Sequence, residues 1–342
     1  MNSNVEAFKI LSIDGGGIRG IVPAAVLTEV ERAIRKQMRG SPVRIGECFD
    51  LIAGTSTGGI LTCMLLFPDK KEPSRARFSA SDALRLYMEN GDDVFERSVW
   101  QMIVNSGGLS NEKYSANTLE RILSYYFEDI SINELIRPCL ITAYDSEKYQ
   151  PFFFNQNDAR NDQRGSLIRD VAGEGATLPT SFDAVLPANR CGIPVIDGGA
   201  FTNNPAACAL VEALGLRSQN PIRFSEIVML SLGTGQRPES LSYGQCCNEG
   251  LTGWIMQLVG ILMEGVSQTV HYQLKTVFES IGKRNQYLRI DGTYRDFDLE
   301  DFDPDLTSED VIPETMKRLE RFGRLLAESH REDIQAFVQS YF

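Results

Sequence analysis

Short apolar runs alternate along the chain with longer segments whose apolar residues recur at helical spacing. The short runs predict β-strands at residues 8–13, 49–53, 139–144, 151–154, 193–196 and 227–232. Residues 21–38 carry apolar side chains on one helical face, at Val22, Val26, Val30 and Ile34. Residues 58–67 are apolar almost all round, which is typical of a buried helix. Strands that alternate with helices in this way predict an α/β fold with a mostly parallel sheet.

The last third of the chain adds further helices. Residues 254–263 form a compact apolar run, which suits either a core helix or a surface for an apolar partner. A helical stripe follows at Val266, Val270, Leu274 and Val277. A second stripe lies at Ile312, Met316, Leu319, Phe322 and Leu326, and Pro313 suits the first turn of its helix. The C-terminal region is therefore predicted to be mainly helical.

Charge and cysteine content narrow the class of protein. The 342 residues carry a net charge of -12, which argues against unaided binding of nucleic acid and against docking on anionic lipid by charge. The cysteines number seven and include no C-x-x-C pair, which suits a reducing compartment better than a disulfide framework. No secretory signal precedes the first strand, and no apolar run reaches the ~18 residues of a membrane span. We therefore expect a cytoplasmic protein in which any membrane contact is peripheral and apolar.

Three consecutive glycines, Gly15, Gly16 and Gly17, follow the first strand. Together with Gly20 they fit the G-x-G-x-x-G pattern of a dinucleotide-binding turn, between a strand and a helix. Dinucleotide binding of this kind needs an acidic residue at the end of the second strand, and the sequence has none there. The loop also lacks the Lys-Ser/Thr ending of a P-loop. Glycine amides can also hold an oxyanion, because no Cβ obstructs close approach. The pattern alone leaves a cofactor pyrophosphate and a reaction oxyanion both open.

The second strand leads into Gly54-Thr-Ser56-Thr-Gly58, which fits the G-x-S-x-G pattern of a nucleophile elbow. The flanking glycines allow a sharp turn from strand to helix, which exposes the Ser56 hydroxyl at the carboxyl edge of the sheet. The helix that follows directs its N-terminus at the same place and favours negative charge there. A small-residue turn that merely packs a helix on the sheet is the alternative. The strand and helix on either side favour the nucleophile.

A serine nucleophile needs a base, and histidine is the usual one. The two histidines of the chain, His271 and His330, lie beside a helical stripe and among surface charges, so neither sits where a catalytic group is expected. Asp197 instead ends an apolar strand and is followed by Gly198 and Gly199. An Asp-Gly turn is the structural alternative. As a base, Asp197 would need burial in apolar surroundings, which raises the pKa of a carboxyl group.

Taken in order, the blocks at residues 14–20, 54–58 and 197–199 closely resemble those of the patatin-like phospholipases. That family uses a serine–aspartate dyad. The resemblance implies a three-layer α/β/α fold in which Ser56 is the nucleophile and Asp197 is the base.

The same resemblance assigns the oxyanion hole to Gly15, Gly16 and Gly17, with Arg19 in the place of the family's basic residue. The segments Ser231-Leu-Gly-Thr-Gly and Tyr287-Leu-Arg-Ile are also similar to segments of patatins. It further implies a catalytic core at residues 8–215, and that residues 216–342 complete the same domain with a final strand and added helices.

The activity that this resemblance implies is that of a lipid acyl hydrolase of the phospholipase A type, acting on phospholipid at a membrane surface. We expect no cofactor and no metal, because no His/Cys/Asp cluster in the sequence has the spacing of metal ligands. Residues 176–182 are shorter than the corresponding family segment, which leaves the acyl-chain preference open. Some compact bacterial relatives are antiphage effectors switched on by cyclic nucleotides, so a cyclic-nucleotide activator and a homo-oligomer are further interpretations that no residue here identifies. A hydrolase of soluble esters or thioesters is the alternative among enzymes. A dinucleotide-binding protein is the alternative of another class.

Overall fold

In the described part of the chain, seven strands form one mixed sheet. The computed structural model describes residues 7–95, 121–156, 167–168, 171, 195–216, 221–236, 251–297, 299 and 312–342. The strands are β1 (Phe8–Ile13), β2 (Leu51–Thr55), β3 (Cys139–Asp145), β4 (Gln150–Asn155), β5 (Val195–Asp197), β6 (Ile227–Leu232) and β7 (Tyr287–Ile290). Their order is β4-β3-β2-β1-β6-β7, and β5 pairs with β3. The pairs from β3 across to β7 are parallel, whereas β4 and β5 each run antiparallel to β3.

Helices cover both faces of this sheet. They are α1 (Ile21–Gln37), α2 (Ile45–Cys48), α3 (Thr57–Leu65), α4 (Ala80–Phe95), α5 (Gly199–Thr202), α6 (Ala206–Gly215), α7 (Leu251–Ser280), α8 (Ile312–Ser329) and α9 (Arg331–Tyr341). Residues 121–127 are helical as well. One core joins the sheet to α1, α3, α4, α8 and α9, and a second core joins its other face to α6 and α7. The predicted α/β/α layering is confirmed.

The alternation of side chains along β1 explains why two cores form. Successive side chains of a strand point to opposite faces. Ile10 accordingly belongs to the core under α6 and α7, and Leu11 belongs to the core under α1 and α3. A short run with apolar residues on both faces, as in β1, is what a strand covered on both sides needs.

The structure moves several of the predicted boundaries by one or two residues, and the second strand and one apolar stripe show the largest corrections. The second strand begins at Leu51 and continues to Thr55, so it runs directly into Ser56. In α7 the predicted apolar stripe is wrong at Val277, which is exposed, whereas the next residue, Phe278, is buried. Phe278 takes that place because its ring stacks on Tyr287 of β7, with ring centroids 5.6 Å apart.

The apolar run at residues 254–263 lies within α7, a helix of 30 residues. The side chains of residues 251–259 are outside the described part of the structure, as is the segment at residues 176–182. Within the described ranges, none of the helices combines the length and the apolar character that a membrane crossing requires.

Candidate active site

The three sequence blocks meet at one edge of the sheet because β3 aligns two of them. Thr55 of β2 pairs with Thr142 of β3, and the next residue of β3, Ala143, pairs with Asp197 of β5. Strand β5 thus continues the sheet beyond the end of β2. The residue after Thr55 is Ser56, so the serine and the aspartate come together at this point.

The turn that carries Ser56 is sharp and strained. Ser56 has φ 54° and ψ -123°, and a positive φ is costly for a residue with a Cβ. The turn also needs small neighbours, since a Cβ on Gly54 would lie 2.1 Å from the Gly58 carbonyl oxygen. A Cβ on Gly58 would lie 2.3 Å from the Ile13 carbonyl oxygen of β1. Both glycines of the predicted elbow are therefore required by close backbone approach.

Asp197 is buried at the end of β5, next to Ser56. The backbone N–H of Gly199 donates to its Oδ1 at 2.7 Å. Burial raises the pKa of Asp197 to about 6, although the Ser56 side chain and the Gly199 N–H act to lower it. Desolvation is the larger effect, and a carboxyl group with a raised pKa is what a base needs.

The two histidines make their contacts elsewhere. Nδ1 of His271 lies 3.1 Å from the hydroxyl of Tyr287. His330 stands at the start of α9, where its Nδ1 lies 3.0 Å from the carbonyl oxygen of Leu326. In the described structure neither histidine hydrogen bonds to Ser56 or Asp197.

The glycine loop lies beside the elbow, and its first amide is already in use. Gly15 donates its N–H to the carbonyl oxygen of Asn203 at 3.0 Å. Among the described residues, no acceptor takes the amides of Gly16 and Gly17. The amide of Thr57, the first residue of α3, has no acceptor among them either. Free amides are what an oxyanion hole needs. The geometry therefore offers Gly16, Gly17 and Thr57 for that role, and Gly15 as an anchor of the loop.

Arg19 braces this loop from inside the protein. Its side chain is buried, and its Nε and Nη1 lie 3.4 Å from the carbonyl oxygens of Gly16 and Gly235. The loop after β6 adds a second brace, because Thr234 donates its hydroxyl to the Gly15 carbonyl at 3.0 Å. A Cβ on Gly16 would lie 2.6 Å from the Thr234 hydroxyl oxygen. The segment Ser231-Leu-Gly-Thr-Gly thus holds the glycine loop in place.

Two threonines tie the elbow to the Asp197 block. Thr142 donates its hydroxyl to the Thr55 hydroxyl at 2.8 Å, and Thr55 donates in turn to the carbonyl oxygen of Thr202 at 2.7 Å. A Cβ on Gly198 would lie 2.3 Å from the Thr142 hydroxyl oxygen, so glycine is required there. These two hydrogen bonds fix the separation between the end of β2 and the end of α5.

A buried ionic cluster, formed by Asp14, Ser267, Arg289 and Asp291, supports the glycine loop from the other side. Arg289 of β7 donates two hydrogen bonds to Asp14, at 2.8 and 2.6 Å, and one to Asp291 at 2.9 Å. Ser267 of α7 donates to Asp14 at 2.6 Å. Asp14 is the residue before the three glycines, so β7 and α7 both fix the start of the loop.

Sequence reasoning missed this cluster, although one signal was present. Arginine is rarely placed in a buried strand unless a carboxylate pairs with it. The segment Tyr287-Leu-Arg-Ile has an arginine of this kind, and both Asp14 and Asp291 stand at the ends of strands.

A serine on a strand-to-helix turn, next to a buried carboxylate and a glycine loop, defines an α/β protein of the nucleophile-elbow class. The family profile of patatin-like phospholipases matches residues 11–210. The chain belongs to that family, whose members are lipid acyl hydrolases.

Three relatives known from their sequences agree with this assignment. Patatin-like protein 2 of Arabidopsis thaliana is 30% identical, over 82% of this chain and 74% of its own length. Patatin-T5 of Solanum tuberosum is 27% identical, over 98% of this chain and 93% of its own length. A third relative, "Probable inactive patatin-like protein 9" of Arabidopsis thaliana, is 30% identical, over 97% of this chain and 85% of its own length. Among solved structures, VipD from Legionella pneumophila aligns with a TM-score of 0.37 and 12% identity, over 95% of this chain and 67% of that one.

Proposed function

We propose that this protein is an active phospholipid acyl hydrolase of the phospholipase A type, with Ser56 as nucleophile and Asp197 as base. The observation that supports this most strongly is the position of Ser56 beside the buried Asp197 carboxyl group, which the sheet register brings together and whose pKa burial raises to about 6. A base with a pKa near the working pH is both deprotonated and able to hold a proton. Because one relative carries the word inactive in its name, family membership alone does not establish activity.

The reaction proceeds through an acyl-enzyme. Ser56 attacks the ester carbonyl carbon while Asp197 accepts the hydroxyl proton. The amides of Gly16, Gly17 and Thr57 stabilise the oxyanion of the tetrahedral intermediate. When the intermediate collapses, Asp197 gives its proton to the departing lysolipid oxygen. Water then attacks the acyl-serine with Asp197 again as base, the fatty acid leaves, and Ser56 regains its proton.

The surface of α7 supports a lipid substrate over a soluble ester. Ile261 and Leu262 are 46% and 48% exposed. The next residue, Met263, reaches the site, since a Cβ on Gly199 would lie 3.3 Å from its Cε. Gly199 is hydrogen bonded to Asp197. We propose that this turn of α7 contacts the acyl region of a phospholipid surface, by apolar contact because the net charge of the chain is -12.

The test of the activity is incubation of the protein with vesicles of mixed phospholipids and identification of products by mass spectrometry. Free fatty acid and lysophospholipid are expected from the native protein and none from Ser56→Ala, which removes one hydroxyl. A fluorophosphonate probe should label the native protein and leave Ser56→Ala unlabelled. Parallel reactions with and without cyclic nucleotides test the proposed activator. Hydrolysis of soluble esters or thioesters without any phospholipid product would favour the alternative enzyme.

The test of the lipid surface compares two pairs of exposed apolar residues. Ile261→Ser/Leu262→Ser should lower the rate on vesicles while leaving the rate on a soluble short-chain ester unchanged. The matched control is Val277→Ser/Ile281→Ser, which removes similar exposed apolar area. That pair lies roughly 24 Å further along the helix, at 1.5 Å per residue. Equal loss on vesicles in both pairs, or no loss in either, would contradict a specific contact at Ile261 and Leu262.

A further inference from the structure

One buried acceptor in the site has no role in the mechanism described above. Asn203 lies just after α5 and is buried, with 5% exposure. Its Oδ1 has no hydrogen-bond partner in the described structure. A buried acceptor without a partner costs free energy, so its persistence at a functional site points to a group that arrives with the reaction.

The position of this oxygen connects it to both members of the dyad. A Cβ on Gly15 would lie 2.6 Å from Oδ1 of Asn203 and 3.3 Å from Cβ of Ser56. A Cβ on Gly199 would lie 3.7 Å from the same Oδ1 and 3.2 Å from Oδ1 of Asp197. The Asn203 oxygen therefore stands between the glycine loop and the Asp197 block, close to the serine and the aspartate.

The backbone of Asn203 keeps the side chain in that position. Its carbonyl oxygen accepts the Gly15 N–H at 3.0 Å. The next residue, Asn204, is fixed at both ends of its side chain. Its Oδ1 accepts the Ala206 N–H at 3.0 Å, and its Nδ2 donates to the carbonyl oxygen of Ser267 at 3.4 Å. The side chain of Asn204 is thus hydrogen bonded at both ends within the fold. The side-chain oxygen of Asn203 has no hydrogen-bond partner among the described residues.

We propose that Oδ1 of Asn203 binds the water that hydrolyses the acyl-enzyme. The inference rests on the proposed function of Ser56 and Asp197. A water in this place has two hydrogens to donate, one to the Asp197 carboxylate and one to Asn203, and its lone pair is directed at the acyl carbon. The water oxygen bonds to that carbon while its proton passes to Asp197. The bond from the carbon to Ser56 Oγ then breaks, Oγ recovers the proton, and the fatty acid leaves.

This role affects the second half of the reaction and leaves the first half intact. Acylation of Ser56 uses no water, so Asn203→Leu should form the acyl-enzyme at a rate within a few-fold of native. Deacylation should slow by roughly tenfold, the factor that one hydrogen bond is worth. With a p-nitrophenyl ester in stopped flow, we expect a burst of about one equivalent of nitrophenolate, followed by slow turnover. Intact-protein mass spectrometry should show the acylated protein accumulating.

Two further variants test whether the acceptor oxygen is the relevant group. Asn203→Asp keeps an acceptor oxygen in either protonation state, so it should deacylate faster than Asn203→Leu. Asn203→Ala also removes the acceptor oxygen and adds no atoms, so we expect the same slow deacylation as in Asn203→Leu. The alanine variant replaces the leucine variant if the latter does not fold. Ser12→Ala is the matched control, because Ser12 Oγ is also buried without a partner but lies within β1. It should leave both phases at native rates.

The outcomes separate this inference from the proposed function. Equal slowing of both phases in Asn203→Leu, without accumulation, would show that Asn203 only positions the glycine loop and would overturn the water-binding role. Unchanged rates in Asn203→Leu would overturn it too. If the native protein forms no acyl-serine even when the reaction is quenched early, the proposed function itself fails.

Discussion

Ser56 and Asp197 lie side by side at a boundary between two strand directions. Ser56 follows β2, which is parallel to β3, and Asp197 ends β5, which is antiparallel to β3. Because β2 and β5 pair with consecutive residues of β3, the two side chains come together at the place where β2 stops. The juxtaposition of the two side chains is thus a consequence of sheet register.

The identity of the base can be tested by comparing two sets of variants. Asp197→Asn should abolish ester hydrolysis, because the amide has nearly the same shape and cannot accept the serine proton. His271→Gln/His330→Gln should keep most of the activity, since both histidines hydrogen bond away from Ser56. Turnover is measured with circular dichroism as the check on folding. If His271→Gln/His330→Gln were inactive and Asp197→Asn were active, the base would be a histidine and not Asp197.

The rate should depend on pH through the ionisation of Asp197. Burial raises the pKa of Asp197 to about 6, and in the proposed mechanism the ionised form is the base. We expect kcat/KM to be constant above pH 7 and to fall tenfold per pH unit well below pH 6. A pH profile on a soluble ester measures this without interference from vesicle charge. A profile that stays flat down to pH 4 would contradict the assignment.

The same pKa predicts a pH-dependent cost in stability. The carboxyl group of Asp197 has an ordinary pKa of 3.8 and a pKa of about 6 in the folded protein. Its contribution to the free energy of unfolding is therefore most favourable below pH 4 and is lost as the pH rises through 6. The difference corresponds to about 3 kcal/mol at pH 8. Asp197→Asn should therefore raise the melting temperature more at pH 8 than at pH 5. Thermal unfolding at both pH values measures the effect, and a larger gain at pH 5 would be inconsistent with a raised pKa.

The glycine loop should tolerate no side chain at its second position. Gly16→Ala places a methyl group 2.6 Å from the Thr234 hydroxyl oxygen, so the loop must shift and turn its amides. Removal of one oxyanion donor costs about 2.7–4 kcal/mol in the barrier, so kcat should fall by 10² or more. Gly215→Ala is the control, because a Cβ there meets nothing within 4 Å. Steady-state kinetics on a soluble ester measure the effect. Near-native turnover of Gly16→Ala would exclude the proposed oxyanion-hole role of the glycine loop.

The ionic cluster should contribute to stability much more than a surface ion pair does. Arg289→Met leaves Asp14 and Asp291 buried without their partner, which should lower the free energy of unfolding by about 3–5 kcal/mol. Arg324→Met, which breaks a partly exposed pair with Glu320, should cost about 0–1 kcal/mol. Urea unfolding of both variants gives the comparison. A similar small loss in both would mean that the cluster does not hold the glycine loop.

The sequence by itself determined much of this protein. Each of the three blocks stands at the end of an apolar strand, and strand period, glycine content and turn residues are local properties that a sequence shows directly. The α/β fold, the patatin-like family and the strand at residues 8–13 are confirmed on that basis. The roles of Ser56 and Asp197 remain predictions that the geometry supports.

Only the tertiary structure decided how the blocks are joined. That Gly15 donates to Asn203, that Arg289 pairs with Asp14, and that Val277 is exposed all depend on contacts between distant parts of the chain. No periodicity along the sequence specifies which strand lies beside which, or which amide an adjacent loop has already taken. Packing and sheet register settle those questions, because buried polar groups must find partners in three dimensions.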